Sequence, residues 1–166
     1  MGGLIMHFPI ICIENVATPK EKWHEPDCED ACLNEYTDYY GEQYSEEERK
    51  EVINSAWFED LFQNIAVVNK EKETITFLDP DILEKNIQKY LKIQAMQLVV
   101  KAEEKGLRVY DFWKAAAQYR GYDTLFYDCS DSSGYGYGKT SMDFIEDSTY
   151  HAGQTVKIGN IFDAHF

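Results

Sequence analysis

Long apolar runs are missing from this chain of 166 residues. The longest, from Gly2 to Ile13, is interrupted by His7 and Pro9 and is shorter than the roughly 18 residues that a transmembrane helix needs. The same segment lacks the basic region that begins a secretory signal, and its sixth residue does not fit the myristoylation pattern. The sequence therefore predicts a cytoplasmic protein without a membrane partner.

Cysteine is also scarce, and no two cysteines form a CxxC pair. The four cysteines are spread over the chain, which is unlike the dense spacing of small secreted scaffolds and favours reduced thiols. His24, Cys28 and Cys32 follow one another at steps of four and offer three zinc ligands in one interpretation. In the other, which we favour, the cysteines pack a short helix and no metal is bound.

Catalytic motifs are absent too. No GxSxG, HExxH or Cys-His signature is present, so we assign no catalytic residue and no cofactor. Gly138-Lys139-Thr140 resembles the end of a phosphate-binding loop, but serine stands at position 133 where such a loop needs glycine. The segment from 130 to 138 is therefore interpreted as a hairpin loop rich in glycine and tyrosine.

In an alternative interpretation, the protein is a small enzyme whose His/Asp site is assembled only when the chain folds. In that case His151 and His165 meet one of the nearby acids to make a metal or acid/base site. The acids considered for this role are Asp143, Asp147 and Asp163.

Negative charge is what the chain has in excess, and it is concentrated in one segment. Between Glu14 and Glu51 there are thirteen acidic and four basic residues, a balance of -9 out of the net -14 of the whole chain. Such a field repels nucleic acid and anionic membranes and attracts basic protein surfaces. The composition therefore predicts a basic protein as partner, with no direct nucleic-acid binding.

Hydrophobic content of 44% in 166 residues is enough for one core, so we predict a single α+β domain spanning residues 1–166, with the acidic segment 14–51 within it. Apolar and β-branched runs predict strands at 4–13, 66–78 as a hairpin, 124–129, 140–146 and 155–162. Caps and apolar periodicity predict helices near 28–36, from Ser45 to about 64, at 79–104 and at 108–120, with a turn at Tyr40-Gly41. Two to three helices then pack on a mostly antiparallel sheet, which the N-terminal strand joins, with Pro9 placing that strand at an edge or a bulge.

The combination of small size, a pI of about 4.6 and a tyrosine-rich acidic segment is similar in composition, though in no motif, to anti-restriction and anti-CRISPR proteins of phages and mobile elements. We therefore expect an inhibitor or decoy of a basic, nucleic-acid-processing protein, in which carboxylates imitate phosphates. Tyrosines supply contact area and carboxylates pair with partner cations. The predicted partner-binding residues are Glu35, Tyr36, Asp38, Tyr39, Tyr40, Glu42, Glu46, Glu47, Glu48, Tyr135 and Tyr137.

Two further interpretations of the acidic segment stay open. The client is an unrelated basic protein, such as a toxin neutralised by an immunity protein or a subunit of an assembly. Alternatively the carboxylates form a solvated face that only keeps the domain soluble.

Overall fold

The computed structural model describes residues 7–27, 29–37, 39–104, 106, 108, 124–131 and 135–165, with the backbone only at 31, 35, 36, 39 and 40. The helix predicted at 108–120 lies outside the described residues, apart from position 108. Within these ranges, helices pack against a mostly antiparallel open sheet of seven strands, which confirms the α+β class.

The strands run in the order β3-β4-β7-β1-β5-β6, and β2 pairs with β7 beside that path. Their bounds are β1 His7–Asn15, β2 Tyr39–Gln43, β3 Ala66–Asn69, β4 Thr74–Phe77, β5 Leu125–Cys129, β6 Tyr137–Thr140 and β7 Thr155–His165. Among the described strands, β1 and β5 are parallel and the other neighbours are antiparallel. The first and last described strands therefore pair at the centre of the sheet.

The described helices are mostly short. They are α1 Ala31–Tyr36, α2 Glu46–Asn54, α3 Ala56–Leu61, α4 Pro80–Glu104 and α5 Ser141–Asp147, with 3-10 turns at Lys20–Lys22 and Ser148–His151. No helix in the described ranges combines the length and the apolar character that crossing a bilayer requires.

Side chains of β1 alternate between two hydrophobic cores on opposite faces of the sheet. The main core, to which α2, α3, α4 and α5 contribute, consists of Ile11, Ile13, Ile53, Phe58, Phe62, Ile65, Ile75, Phe77, Leu83, Ile87, Phe126, Phe144, Ile145, Val156, Ile158 and Ile161. The minor core, to which α1 contributes, consists of Phe8, Ile10, Cys12, Leu33, Leu125, Tyr127, Cys129, Phe162 and Ala164. Each fully buried Ile, Leu or Phe contributes roughly 1.5–3 kcal/mol through removal from water.

The capping box predicted at the start of α2 is present. Glu48 N–H donates to Ser45 Oγ, and the Glu48 carboxylate accepts from Ser45 N–H at 2.8 Å. The helix ends earlier than predicted, because Ser55 takes an extended conformation and donates its hydroxyl to Val52 O at 2.6 Å. Ser55 also precedes α3, so the predicted single helix is two helices.

The strand predicted at 140–146 is wrong, because this segment forms α5. Thr140 Oγ1 accepts a hydrogen bond from Asp143 N–H at 3.1 Å and so caps the helix at its first turn. Phe144 and Ile145 then enter the main core as neighbours on one helix.

Two smaller predictions are also wrong. Tyr40-Gly41 lies within β2 and is not a turn, because that strand adds to β7. β1 is central, and its register shift lies between Ile11 and Ile13, not at the proline. Pairing with β5 begins at Ile10, so Pro9 has no residue of β5 opposite it and its missing N–H is tolerated there.

Candidate functional site

The acidic segment is divided between the two faces of the sheet. Leu33 of α1 is buried in the minor core, whereas Ile53 of α2 is buried in the main core. The predicted partner-binding residues on these two helices therefore lie on opposite faces of the sheet.

The surface of α2 carries the densest exposed charge. Glu46, Glu47, Glu48 and Glu51 are all exposed. Two of them are engaged within the molecule. A hydrogen bond from Lys20, with Nζ 2.6 Å from Oε2, and the positive charges of nearby basic side chains lower the pKa of Glu46. Hydrogen bonds from the hydroxyl and backbone N–H of the capping serine lower the pKa of Glu48.

Arg49 turns away from this surface and is buried. Its Nη1 and Nη2 each lie 2.9 Å from an oxygen of Glu73, and its Nε donates to Gly159 O at 2.6 Å. The guanidinium carbon also lies 5.0 Å from the centre of the Trp23 ring, within the range of a cation–π contact. The arginine therefore pairs at short range with an acid of the β3–β4 turn. Its Nη1 also lies 3.6 Å from Oε1 of Glu46, but no ion pair joins it to Glu47 or Glu51 in the described part of the chain.

As a result, the outward face of α2 is left strongly negative. Glu47 and Glu51 have no ion-pair partner among the described residues, and Lys50 is the exposed cation beside them. Glu46, Glu47, Lys50, Glu51 and Asn54 line a shallow, open depression of about 540 Å³. We call this set the α2 acidic face.

The remaining predicted residues of the acidic segment lie on α1 and β2. Glu35 and Tyr36 are at the end of α1, Tyr39 and Tyr40 begin β2, and Glu42 is exposed on that strand. Asp38 lies outside the described residues.

Tyr135 and Tyr137 are exposed, at 72% and 55%. Tyr137 begins β6, which is the last strand on its side of the sheet. Next to it, Gly138 N–H donates to Asp30 Oδ2 at 2.9 Å, and Asp30 is the residue that caps α1. Gly138 thus ties β6 to α1, whereas Tyr137, which is directly opposite Asp128, projects from the other face of the sheet, that of the main core.

Asp128, at the end of β5, forms a buried polar cluster that the sequence did not predict. Its Oδ2 lies 2.9 Å from His151 Nε2 and 3.3 Å from Lys139 Nζ, and its Oδ1 accepts from the Ser130 hydroxyl at 2.5 Å. Burial alone would raise the pKa of Asp128, but these hydrogen bonds and the nearby positive charges hold it well below its usual range. Because both partners of the Asp128–His151 pair are buried, we interpret the cluster as structural.

His7 and His165 also contact an acidic side chain. His165 lies 3.3 Å from Asp163, which is one of the acids considered for it from the sequence. His7 lies 2.8 Å from the same carboxylate. His151 contacts Asp128 and not the acids considered for it. His7 reaches this carboxylate because β1 pairs with β7, the first and last of the described strands. No local pattern in the sequence predicts that pairing.

His24 contacts Glu14, which is fully buried at the end of β1. Both carboxylate oxygens of Glu14 are engaged, one by His24 Nδ1 at 2.8 Å and one by His24 N–H at 2.6 Å. Cys32 packs against the minor core, as the packing interpretation expects, while Cys28 lies outside the described residues. In the described part of the chain, His24 is therefore paired with the buried carboxylate of Glu14.

In comparisons with known proteins, no family model, no curated protein and no solved structure matches this chain. Function is therefore inferred from the geometry and charge of the chain itself.

Proposed function

We propose that this protein is an acidic protein-binding domain that inhibits, or acts as a decoy for, a basic nucleic-acid-processing protein. The observation that carries the proposal is the pair of unneutralised carboxylates, Glu47 and Glu51, on the α2 acidic face. Its helix has one arginine, and that arginine is buried against Glu73. Glu47 and Glu51 are left pointing outward without a partner among the described residues.

The geometry of this face suits a cationic groove. Residues at i and i+4 on a helix have Cβ atoms about 5–6 Å apart, so Glu47 and Glu51 present two negative charges at a spacing that basic side chains can bridge. The helix is held to β7 by Arg49, which contacts Gly159 O and Ile158 O. A charged surface on a fixed helix loses little conformational entropy on binding, which favours affinity.

Charge of this kind acts through long-range attraction, so binding must weaken as salt screens it. A decoy that occupies a nucleic-acid groove must also compete with nucleic acid for its client. The alternative client, a basic toxin or assembly partner, shares the salt dependence but not the competition.

The experiment is an affinity capture from lysates rich in nucleic-acid enzymes, at low and high salt and with and without duplex DNA, followed by mass spectrometry. Captured basic proteins are then purified and tested against a variant with Glu47→Lys and Glu51→Lys. We expect at least a tenfold loss of affinity for this variant, with a flatter salt dependence.

The matched control reverses two exposed acids of α4, Glu84→Lys and Glu103→Lys, which changes the net charge by the same amount away from the α2 acidic face. Equal losses in both variants would show that only net charge matters and would contradict a specific face. Unchanged affinity in the first variant would exclude this face from the interface. DNA that leaves capture unaffected would favour the immunity or assembly role.

A further inference from the structure

Two histidines and one carboxylate meet where the first described strand begins and the last one ends. In the antiparallel pair of β1 and β7, His7 is directly opposite His165, and Asp163 lies two residues before His165. Side chains two apart on a strand share a face, so His7 lies on the same face as Ile11, and Asp163 and His165 lie on that of Ile161. Both isoleucines belong to the main core, so all three side chains project from one face of the sheet.

The donor atoms of these side chains converge. His7 Nδ1 lies 2.8 Å and His165 Nε2 3.3 Å from Asp163 Oδ2, and the three donors are all within 4.8 Å of one another. Ligands bonded to one zinc ion at about 2.0–2.1 Å are separated from one another by about 3.3 Å in a tetrahedral arrangement. The observed spacings therefore match a shared cation with only small movements of the side chains.

The carboxylate has further capacity to bind a cation. Asp163 Oδ1 is buried and has no hydrogen-bond partner in the described part of the chain. Burial raises the pKa of Tyr44, and the nearby negative charges of Asp163 and Glu48 raise it further. The carboxylate thus adds negative charge to a partly buried place, and a bound cation there would offset that charge.

We propose that His7, Asp163 and His165 form a binding site for a divalent transition-metal ion, with one position left open to solvent. Two imidazoles and one carboxylate are a ligand set that suits Zn²⁺ and its neighbours in the first transition row, and three protein ligands leave the fourth position for water. The His7 side chain is 58% exposed, so an ion can enter from solvent and the open position stays accessible.

A second cluster serves as the internal comparison. The donor atoms of Glu14, His24 and Cys129 also lie within 4.8 Å of one another. Burial, followed by the charges of nearby carboxylates, raises the pKa of the Cys129 thiol, which opposes the thiolate that a metal needs. Both oxygens of Glu14 are already engaged by His24, so binding there would have to break an existing ion pair.

The test measures Zn²⁺ binding to the full chain, free of any histidine tag, by competition with a chromogenic chelator, together with the visible absorption of bound Co²⁺. We expect one ion per chain, and at least a tenfold weaker affinity in each of His7→Ala, His165→Ala and Asp163→Asn. Affinity must also be lower in acid than at neutral pH, because protons compete with the metal ion for the imidazoles.

His24→Ala and Cys129→Ala are the controls, since they remove donors from the second cluster and leave the proposed site intact. Circular dichroism checks that each variant is folded, and His7→Ala changes an exposed residue at the first position of β1. Wild-type protein that binds neither ion at about 100 μM would overturn the proposal. So would affinity that is unchanged in folded His7→Ala, or that is lost in His24→Ala instead.

Discussion

Asp128 Oδ2 lies 2.9 Å from His151 Nε2, and both side chains are buried beside the main core. The imidazole also stacks on Phe77, with ring centres 5.3 Å apart, so the ion pair is enclosed by aromatic side chains. Removing one member of such a pair leaves the other buried without a partner, and this lowers the stability of the folded protein.

We expect Asp128→Asn to lower the free energy of unfolding by about 3 kcal/mol or more, because a neutral amide replaces the carboxylate that both His151 and Lys139 contact. The matched control is Asp147→Asn, which removes the more exposed carboxylate 3.2 Å from the same lysine and should cost less than about 1 kcal/mol. Urea unfolding of the three proteins measures both effects. Equal losses would contradict the assignment of Asp128 as the structural partner.

The same carboxylate predicts how stability depends on pH. Its pKa is lower in the folded protein than the value of about 3.9 of an unfolded aspartate, so the unfolded state takes up its proton first. The contribution of Asp128 is therefore fully present above about pH 5 and is lost as the pH falls through 4 and below. Urea unfolding from pH 7 to pH 3 should show a steeper decline for wild type than for Asp128→Asn, and parallel curves would contradict the assignment.

Arg49→Ala should destabilise the protein by about 3–5 kcal/mol, because it leaves the partly buried Glu73 and the carbonyl of Gly159 without their donor. Arg49→Lys should recover only part of this loss, since one ammonium cannot reproduce the planar, multiple contacts of the guanidinium. Lys50→Ala, at the exposed neighbouring position, should change stability by less than about 0.5 kcal/mol. Thermal unfolding that ranks the three variants differently would contradict the buried role of Arg49.

Gly138→Ala should lower stability by about 1–3 kcal/mol, because a Cβ there would lie 2.4 Å from Asp30 Oδ1 and 2.8 Å from Leu33 Cγ. Relief of this overlap must move α1 away from β6 and disturb its cap. Hydrogen exchange should therefore rise first at the amides of Cys32 and Leu33, which Asp30 accepts from. Exchange that rises equally over the whole sheet would argue against a local effect.

Cysteine reactivity should follow burial. Burial raises the pKa of both the Cys12 and Cys129 thiols, so both should resist alkylation in the native protein, whereas Cys32 is only half-buried and should react sooner. Timed alkylation with peptide mass spectrometry gives the order. Fast labelling of Cys12 without denaturant would mean that the centre of the sheet opens readily.

Elements with local signals were predictable. The capping box at Ser45 and the Asp79-Pro80 start of α4 were confirmed, because a cap acts within one turn of its own residue. The hairpin of β3 and β4 was also confirmed, because its two strands are close in sequence and pair across a short turn. The sequence did contain a signal for α5, because Thr140 followed three residues later by Asp143 is a helix-capping spacing. The alternating residues after it favoured a strand instead.

Long-range relationships were not predictable in the same way. The sequence around Arg49 gives no sign of burial, yet the residue is buried, because the β3–β4 turn places Glu73 opposite it. The pairing of His7 with His165 depends on strands from the two ends of the described chain. The division of the acidic residues between two faces also depends on the sheet, which no local pattern of charge reveals.

The central position of β1 has a consequence for synthesis of the protein. β1 is synthesised long before its neighbours on both sides, β5 and β7. The hairpin of β3 and β4 can form meanwhile from contacts close in sequence, but β1 waits with both of its edges unpaired and its isoleucines exposed. Such a nascent chain is a target for chaperones. If synthesis stalls before β7 is made, the unpaired edges of β1 stay open to pairing with other chains.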